Sequence, residues 1–365
     1  MINLYQPHIS FNEFYNVTKS LFRTNISGMS SPVREFELSF QKMFGFKHCL
    51  ATNSGTAALH LALIASGINQ NDEVILPSIT FISTANAVSY TGATPVIVDI
   101  DRDTYQISID DIEKNITNKT KAIIPVHLYG NCPNLDKLTK IAKKYNLKII
   151  HDTAEALGTK YRNKESGMYA DVAIYSFYPN KVITTGEGGM LVTNNDEIFN
   201  IAKVYRGQGL RINTDEYKHD VIGFNYRMPA LSASLGIAQL KNFSKFLYKK
   251  KKIHERYKEI LSEFNISFIE DEKNVENSFW LTVLDFKNIT LQVDDLRNYL
   301  KSNMIETKKI FYPLELQKPY ISNKLNKNAI NLYENALCVP SHPKLKIKEI
   351  EFICKKIANY INSLN

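Results

Sequence analysis

Cysteine is scarce in this chain. Its four cysteines, Cys49, Cys132, Cys338 and Cys354, lie far apart and in no paired spacing, which excludes both a disulfide framework and the ligand pattern of a zinc site. No stretch of the sequence is apolar enough to span a bilayer, and Met1-Ile2-Asn3-Leu4-Tyr5-Gln6-Pro7 has no basic segment ahead of an apolar one, so neither membrane insertion nor export is expected and a reducing cytoplasm fits. Charge of one sign is also in short supply. The 45 Lys+Arg against 37 Asp+Glu leave +8, spread along the chain, and the densest run, Lys249-Lys250-Lys251-Lys252, reads as the solvated face of a helix. That distribution suits anionic small molecules better than nucleic acid. Gly186-Glu187-Gly188-Gly189 lacks the third glycine of a dinucleotide fingerprint and no helix follows it; a Gly-Lys-Ser/Thr phosphate loop is missing too. Internal repeats and low-complexity tracts are absent.

What is present is the composition of an ordinary globular enzyme-sized chain, 44% hydrophobic and 22% charged over 365 residues. That length predicts a large domain, 1–240, and a smaller C-terminal α+β domain, 241–365. Strand-like runs at 73–76, 94–98, 122–126, 148–150, 172–175 and 190–192, with one more before Ser54, alternate with helical ones. Several are apolar on both faces, so the reading is an α/β fold with a seven-stranded, mostly parallel sheet between helices. After Met228 a long helical run reaches about residue 264, then 278–286 reads as a strand and 293–302 as a helix. Trp280, the single tryptophan, reads as a core residue.

One loop stands out. Ser176-Phe177-Tyr178-Pro179-Asn180-Lys181 through Gly186-Glu187-Gly188-Gly189 lies between two apolar runs and carries one lysine. Free in water a lysine has a pKa of about 10.4; desolvated, it can lose its proton and act as a nucleophile. In a helix-covered sheet, ligands gather beyond the carboxyl ends of the strands. There the sequence places Ser54-Gly55-Thr56 at a helix start, Phe81, and Asp152. Taken singly, Ser54 is equally an N-cap, and so is Asp152. Together they offer a phosphate cradle (Ser54, Gly55, Thr56 and Ser176), an aromatic cover for a flat ring (Phe81), a carboxylate for a protonated ring nitrogen (Asp152) and a lysine able to form an imine (Lys181). Those are the requirements of pyridoxal 5′-phosphate.

Ser54-Gly55-Thr56-Ala57-Ala58-Leu59, Pro77-Ser78-Ile79-Thr80-Phe81, Asp152-Thr153-Ala154-Glu155-Ala156-Leu157-Gly158, the lysine loop, and Gly223-Phe224-Asn225-Tyr226-Arg227-Met228 resemble the pyridoxal-phosphate-dependent nucleotide-sugar aminotransferases of the DegT/DnrJ/EryC1/StrS group. These have fold type I, the aspartate aminotransferase-like fold. Lys218-His219-Asp220-Val221-Ile222-Gly223 and Ile305-Glu306-Thr307 through Phe311-Tyr312-Pro313-Leu314 look most like the GDP-perosamine synthase branch. The resemblance implies that Lys181 attaches the cofactor and shuttles a proton, Asp152 pairs with the ring nitrogen, and Glu155 lies near the phenolic oxygen. It also implies that Thr56, the Gly55 amide and Ser176 take the phosphate and Phe81 lies against the ring. Asn225 would reach the other subunit's phosphate, making a homodimer with shared active sites, and His219 and Arg227 would serve the substrate side. Lysine at 181, where a sister branch has histidine, implies transamination. The implied reaction moves the amine of L-glutamate to a nucleotide-linked 4-keto-6-deoxy sugar, for surface polysaccharide or glycoconjugate such as O-antigen. A 3-keto sugar, a cyclitol, or a non-catalytic binding or regulatory protein on the same fold are the alternatives. The chain departs from the pattern at His151, where an acid is common. On the substrate side it has Lys308 where the perosamine synthases have arginine, and Glu315 where they have histidine.

Overall fold

The computed structural model describes residues 1–211 and 216–364. Seven strands form the main sheet: β1 His48–Thr52, β2 Glu73–Pro77, β3 Thr94–Val98, β4 Thr120–Ile123, β5 Lys148–Asp152, β6 Val172–Ser176 and β7 Gly189–Thr193. Their spatial order is β1-β7-β6-β5-β4-β2-β3. β2 to β6 pair in parallel, whereas β7 runs antiparallel to both β6 and β1. The connection at 177–188 contains no helix, and a parallel return needs a crossover that usually carries one. So the chain turns straight back, and the lysine loop is the tip of a wide hairpin.

The helices that position the site are α1 Phe11–Phe22, α2 Ser31–Phe44, α3 Gly55–Ala65, α4 Ser83–Tyr90, α5 Leu135–Tyr145, α6 Asp196–Arg206 and α7 Ala230–Leu240. α3 is apolar all round, with Ala57 to Leu63 buried, as a helix wedged between a sheet and other helices must be. The opposite sheet face is packed by Phe36, Phe40, Phe177 and Met190.

A second unit follows. Strands β8 Thr282–Asp285, β9 Lys308–Lys309 and β10 Ala336–Val339 make an antiparallel sheet, with α8 Phe243–Ile260, α9 Val293–Ser302 and α10 Ile347–Asn362. Tyr257, Phe286, Leu296, Ile353 and Ile357 fill its core. The start of the chain joins it, Ile2 bridging Ile305 and the Leu4 amide donating to Glu306 at 2.9 Å.

α8 corrects one expectation. Its buried positions are Phe243, Phe246, Lys250, Ile253 and Tyr257, a stripe at helical spacing that contains one lysine. Lys251 and Lys252 face solvent, but Lys250 is 3% exposed. All four cysteines are free and buried. Burial pushes the thiols of Cys338 and Cys354 up to about 12, and those of Cys49 and Cys132 higher still.

Candidate active site

Asp152 is the last residue of β5, and β4 and β6 flank that strand end. Its Oδ2 accepts from Thr84 Oγ1 of α4 at 2.8 Å and its Oδ1 from the Ala154 amide at 3.1 Å; Thr80 Oγ1 lies 2.9 Å from Thr84 Oγ1. Even so, desolvation keeps the Asp152 carboxyl above its usual pKa. A full cationic partner would correct that. His151 points to the opposite face of the strand, as alternation requires. Its ring lies 4.5 Å from that of His127, and burial lowers it to about 3, so it stays neutral.

The lysine loop is held by its own backbone. The Lys181 amide donates to Tyr178 O at 2.9 Å, and Thr184 Oγ1 and the Thr185 amide both donate to Phe177 O, at 2.9 and 3.0 Å. Gly186 sits at φ +79°, where other residues are strained. Gly189 meets a different demand: a Cβ there would stand 2.4 Å from Ser54 O. Gly189 thus admits the start of α3.

Lys181 Nζ is 3.7 Å from Glu155 Oε1, the glutamate side chain buried and the lysine's 13% exposed, and 4.0 Å from the centroid of the Trp280 ring. Burial lowers the Lys181 ammonium, opposed by Glu155 and Asp152; burial also raises Glu155, opposed chiefly by Lys181. Both groups are therefore drawn toward neutrality, which poises a lysine for nucleophilic work. The other Glu155 oxygen accepts the Tyr129 amide at 3.1 Å.

Around the mouth of β1, Ser54 caps α3, its Oγ accepting the Ala57 amide at 3.0 Å. Its O–H can still donate to an anion. Gly55 and Thr56 open the helix, and a Cβ on Gly55 would lie 3.0 Å from the Ser176 Cβ. Helix start and Ser176 hydroxyl thus lie side by side, and the first amides of a helix have no intrahelical partner, which suits a phosphate. Phe81, after β2, leaves 58% of its surface exposed.

Three aromatic groups escaped the reading of the sequence. Tyr129, with φ +55°, lies parallel to Trp280 and Phe311 with ring centroids 5.8 and 5.9 Å away, and Phe81 tilts against Phe311 at 6.0 Å. Trp280 is buried as expected of a core residue, yet it also touches the lysine. Only the run of aromatics in Phe279-Trp280 and Phe311-Tyr312 hinted at this wall.

Of the remaining candidates, Asn225 sits beside Asn53, the residue before Ser54. Asn225 is exposed; its carbonyl accepts from Asn53 Nδ2 at 3.2 Å. His219 is exposed with Nδ1 2.9 Å from Gln208 O, and Arg227 reaches Gly207 O at 3.4 Å. Lys308 is exposed on β9. Glu315, read as a substrate contact, is 1% exposed, its carboxylate accepting Ser78 Oγ at 2.6 Å and the Asn326 amide at 3.1 Å. It clamps the second unit onto the end of β2. Glu315→Ala is expected to destabilise the fold by about 2–4 kcal/mol, by stranding both donors, as read from urea unfolding.

An attachable lysine, a carboxylate awaiting a cation, a phosphate cradle and an uncovered aromatic ring fit pyridoxal 5′-phosphate. Together on this sheet they define a pyridoxal-phosphate-dependent aminotransferase of fold type I. The chain belongs to the DegT/DnrJ/EryC1/StrS aminotransferase family, whose pattern matches residues 8–358. It is 39% identical over 361 residues to the GDP-perosamine synthase of Escherichia coli O157:H7, covering 98% of each chain. Among solved structures it superposes with TM-score 0.93 on a Streptococcus pneumoniae sugar aminotransferase in its PLP form, 27% identical, covering 100% and 99% of the two chains. The same score is reached with Helicobacter pylori PseC, an aminotransferase of pseudoaminic acid biosynthesis, 26% identical over 99% of both.

Proposed function

We propose that this protein transfers the amino group of L-glutamate to the ketone of a nucleotide-linked 4-keto-6-deoxy sugar, as a GDP-perosamine synthase does, in the cytoplasm. The observation that carries the reading is Lys181 beside Glu155 in the buried cluster that Asp152 closes. The substrate rests on the 39% identity to the Escherichia coli enzyme. When bound, the cofactor supplies an electron sink for a carbanion. Asp152 would hold the ring nitrogen positive. Thr56, the Gly55 amide and Ser176 would take the phosphate, and Phe81 would lie against the ring. Lys181 Nζ would be the group that moves the proton, as base and then acid. Glu155, anchored by the Tyr129 amide, keeps the lysine within reach.

The active unit proposed is a homodimer. Phe11, Phe14, Tyr15 and Phe22 of α1 leave 75, 63, 53 and 85% of their surfaces exposed, and Tyr217 and Ile222 over 90%. Large apolar side chains exposed in this number support an interaction face. Asn225 stands in the same exposed stretch as Tyr217 and Ile222. Light scattering should give twice the chain mass.

The deciding experiment incubates the protein with glutamate and a panel of nucleotide keto-sugars, reading products by mass and NMR. A 4-amino-6-deoxy product is expected; amination of a 3-keto sugar or a cyclitol instead would replace the substrate assignment, and no product with any ketone would remove the enzymatic one. A pH profile gives an independent check. Because burial lowers the Lys181 ammonium, cofactor uptake by cofactor-free protein should rise with pH and be half-maximal below about 10.4. Half-maximal uptake at or above that value would contradict it.

A further inference from the structure

Lys250 is a second lysine of this region, and it is buried. Its Nζ donates to two backbone carbonyls, Trp280 O at 2.8 Å and Ser341 O at 3.2 Å. Trp280 in turn meets the reactive lysine twice. Its ring centroid lies 4.0 Å from Lys181 Nζ, and its indole N–H donates at 2.8 Å to the carbonyl of Asn180, the residue just before that lysine. Asn180, Lys181, Lys250 and Ser341 line one cavity of about 10 Å³, room for about one water. A continuous line of contacts therefore runs from α8 through the indole to the amine and to the loop backbone behind it.

We propose that Trp280 is the positioning residue of Lys181, with Lys250 as its anchor. The indole holds the amine on its face and the loop by its N–H, while Lys250 fixes Trp280 by its backbone carbonyl. The inference rests on Lys181 being the cofactor's attachment point. A lysine side chain has many rotamers to lose, and an amine that must react, release and react again needs a holder that works in both protonation states. A carboxylate such as Glu155 favours the ammonium alone. An aromatic face attracts the ammonium, yet accepts the neutral amine by contact and takes no proton from it.

The test uses cofactor-free wild type, Trp280→Phe, Trp280→Leu and Lys250→Met. Each is mixed with pyridoxal 5′-phosphate at a series of pH values, trapped with borohydride, and the label at Lys181 quantified by peptide mass. Trp280→Phe, which keeps an aromatic face, should stay within about 3-fold of wild type, whereas Trp280→Leu should be slowed about 10-fold or more. Its half-maximal pH should also fall, because the ammonium has lost its π face; a residue that only filled space would not shift that pH. Trp280 is the only tryptophan, so intrinsic fluorescence reports on it directly. Lys250→Met should move its emission to the red and slow labelling about 5-fold. A folded Trp280→Leu protein that labels with the wild-type rate and pH profile overturns the proposal. Should that variant fail to fold, Lys250→Met decides, since unchanged emission and labelling there overturn it equally. Wild type left unlabelled at Lys181 would instead remove the role of Lys181 itself.

Discussion

Lys181→Ala is expected to lower amino transfer by about 10⁴-fold or more while the cofactor remains bound. The binding groups proposed for it are elsewhere: the α3 start, Ser176, Asp152 and Phe81 stand at strand ends that do not depend on the lysine. Borohydride should then fix no cofactor to the protein, and dialysis should remove it. The substitution also leaves the buried Glu155 without its cation, 3.7 Å away in the wild type. Burial already raises this carboxyl, and losing Lys181 raises it further. A carboxyl with a folded pKa above its unfolded one binds more protons folded than unfolded, so stability falls as pH rises from about 4.3 through the raised value. Thermal melts of cofactor-free Lys181→Ala should therefore drop with pH more steeply than those of wild type. Undiminished turnover would refute the role of Lys181.

Asp152→Asn should cost about 10²–10³-fold in kcat without costing the fold. The carboxylate is desolvated and its pKa raised, so the native charge is a burden on the cofactor-free protein. Asparagine is neutral, can accept the Ala154 amide through its oxygen, and can donate to a reoriented Thr84 hydroxyl. Melting of the cofactor-free variant at or above the wild-type temperature, together with lost turnover, would be the signature of a charge kept for chemistry at the expense of stability. Wild-type kcat in the asparagine protein would take the ring-nitrogen role away from Asp152.

The difference between what the sequence revealed and what it hid follows from chain distance. Ser54, Phe81, Asp152 and Lys181 each sit just beyond an apolar strand run, and the rule that strand ends share one edge brings them together before any coordinate is known. The antiparallel β7 was less visible, because an apolar run says nothing of direction; only the missing crossover helix in 177–188 carries it. Trp280, Tyr129 and Phe311 meet across more than 150 residues of chain, a distance no local pattern bridges. Lys250 was legible in part. Counting the helical period from Phe243 through Phe246, Ile253 and Tyr257 puts it on the buried stripe, but a run of four lysines invites a solvent-facing reading.

The four buried cysteines make the protein its own unfolding probe. Alkylation needs the thiolate, and burial together with raised pKa withholds it, so a thiol reagent reacts only when a region opens. Cys49 lies in β1 and Cys132 beside the large sheet, whereas Cys338 and Cys354 lie in β10 and α10. Mass spectrometry of the alkylated peptides, followed over time with and without pyridoxal phosphate, would thus rank the opening of each region. Protection gained at Cys49 alone would place the cofactor's tightening effect in the main sheet.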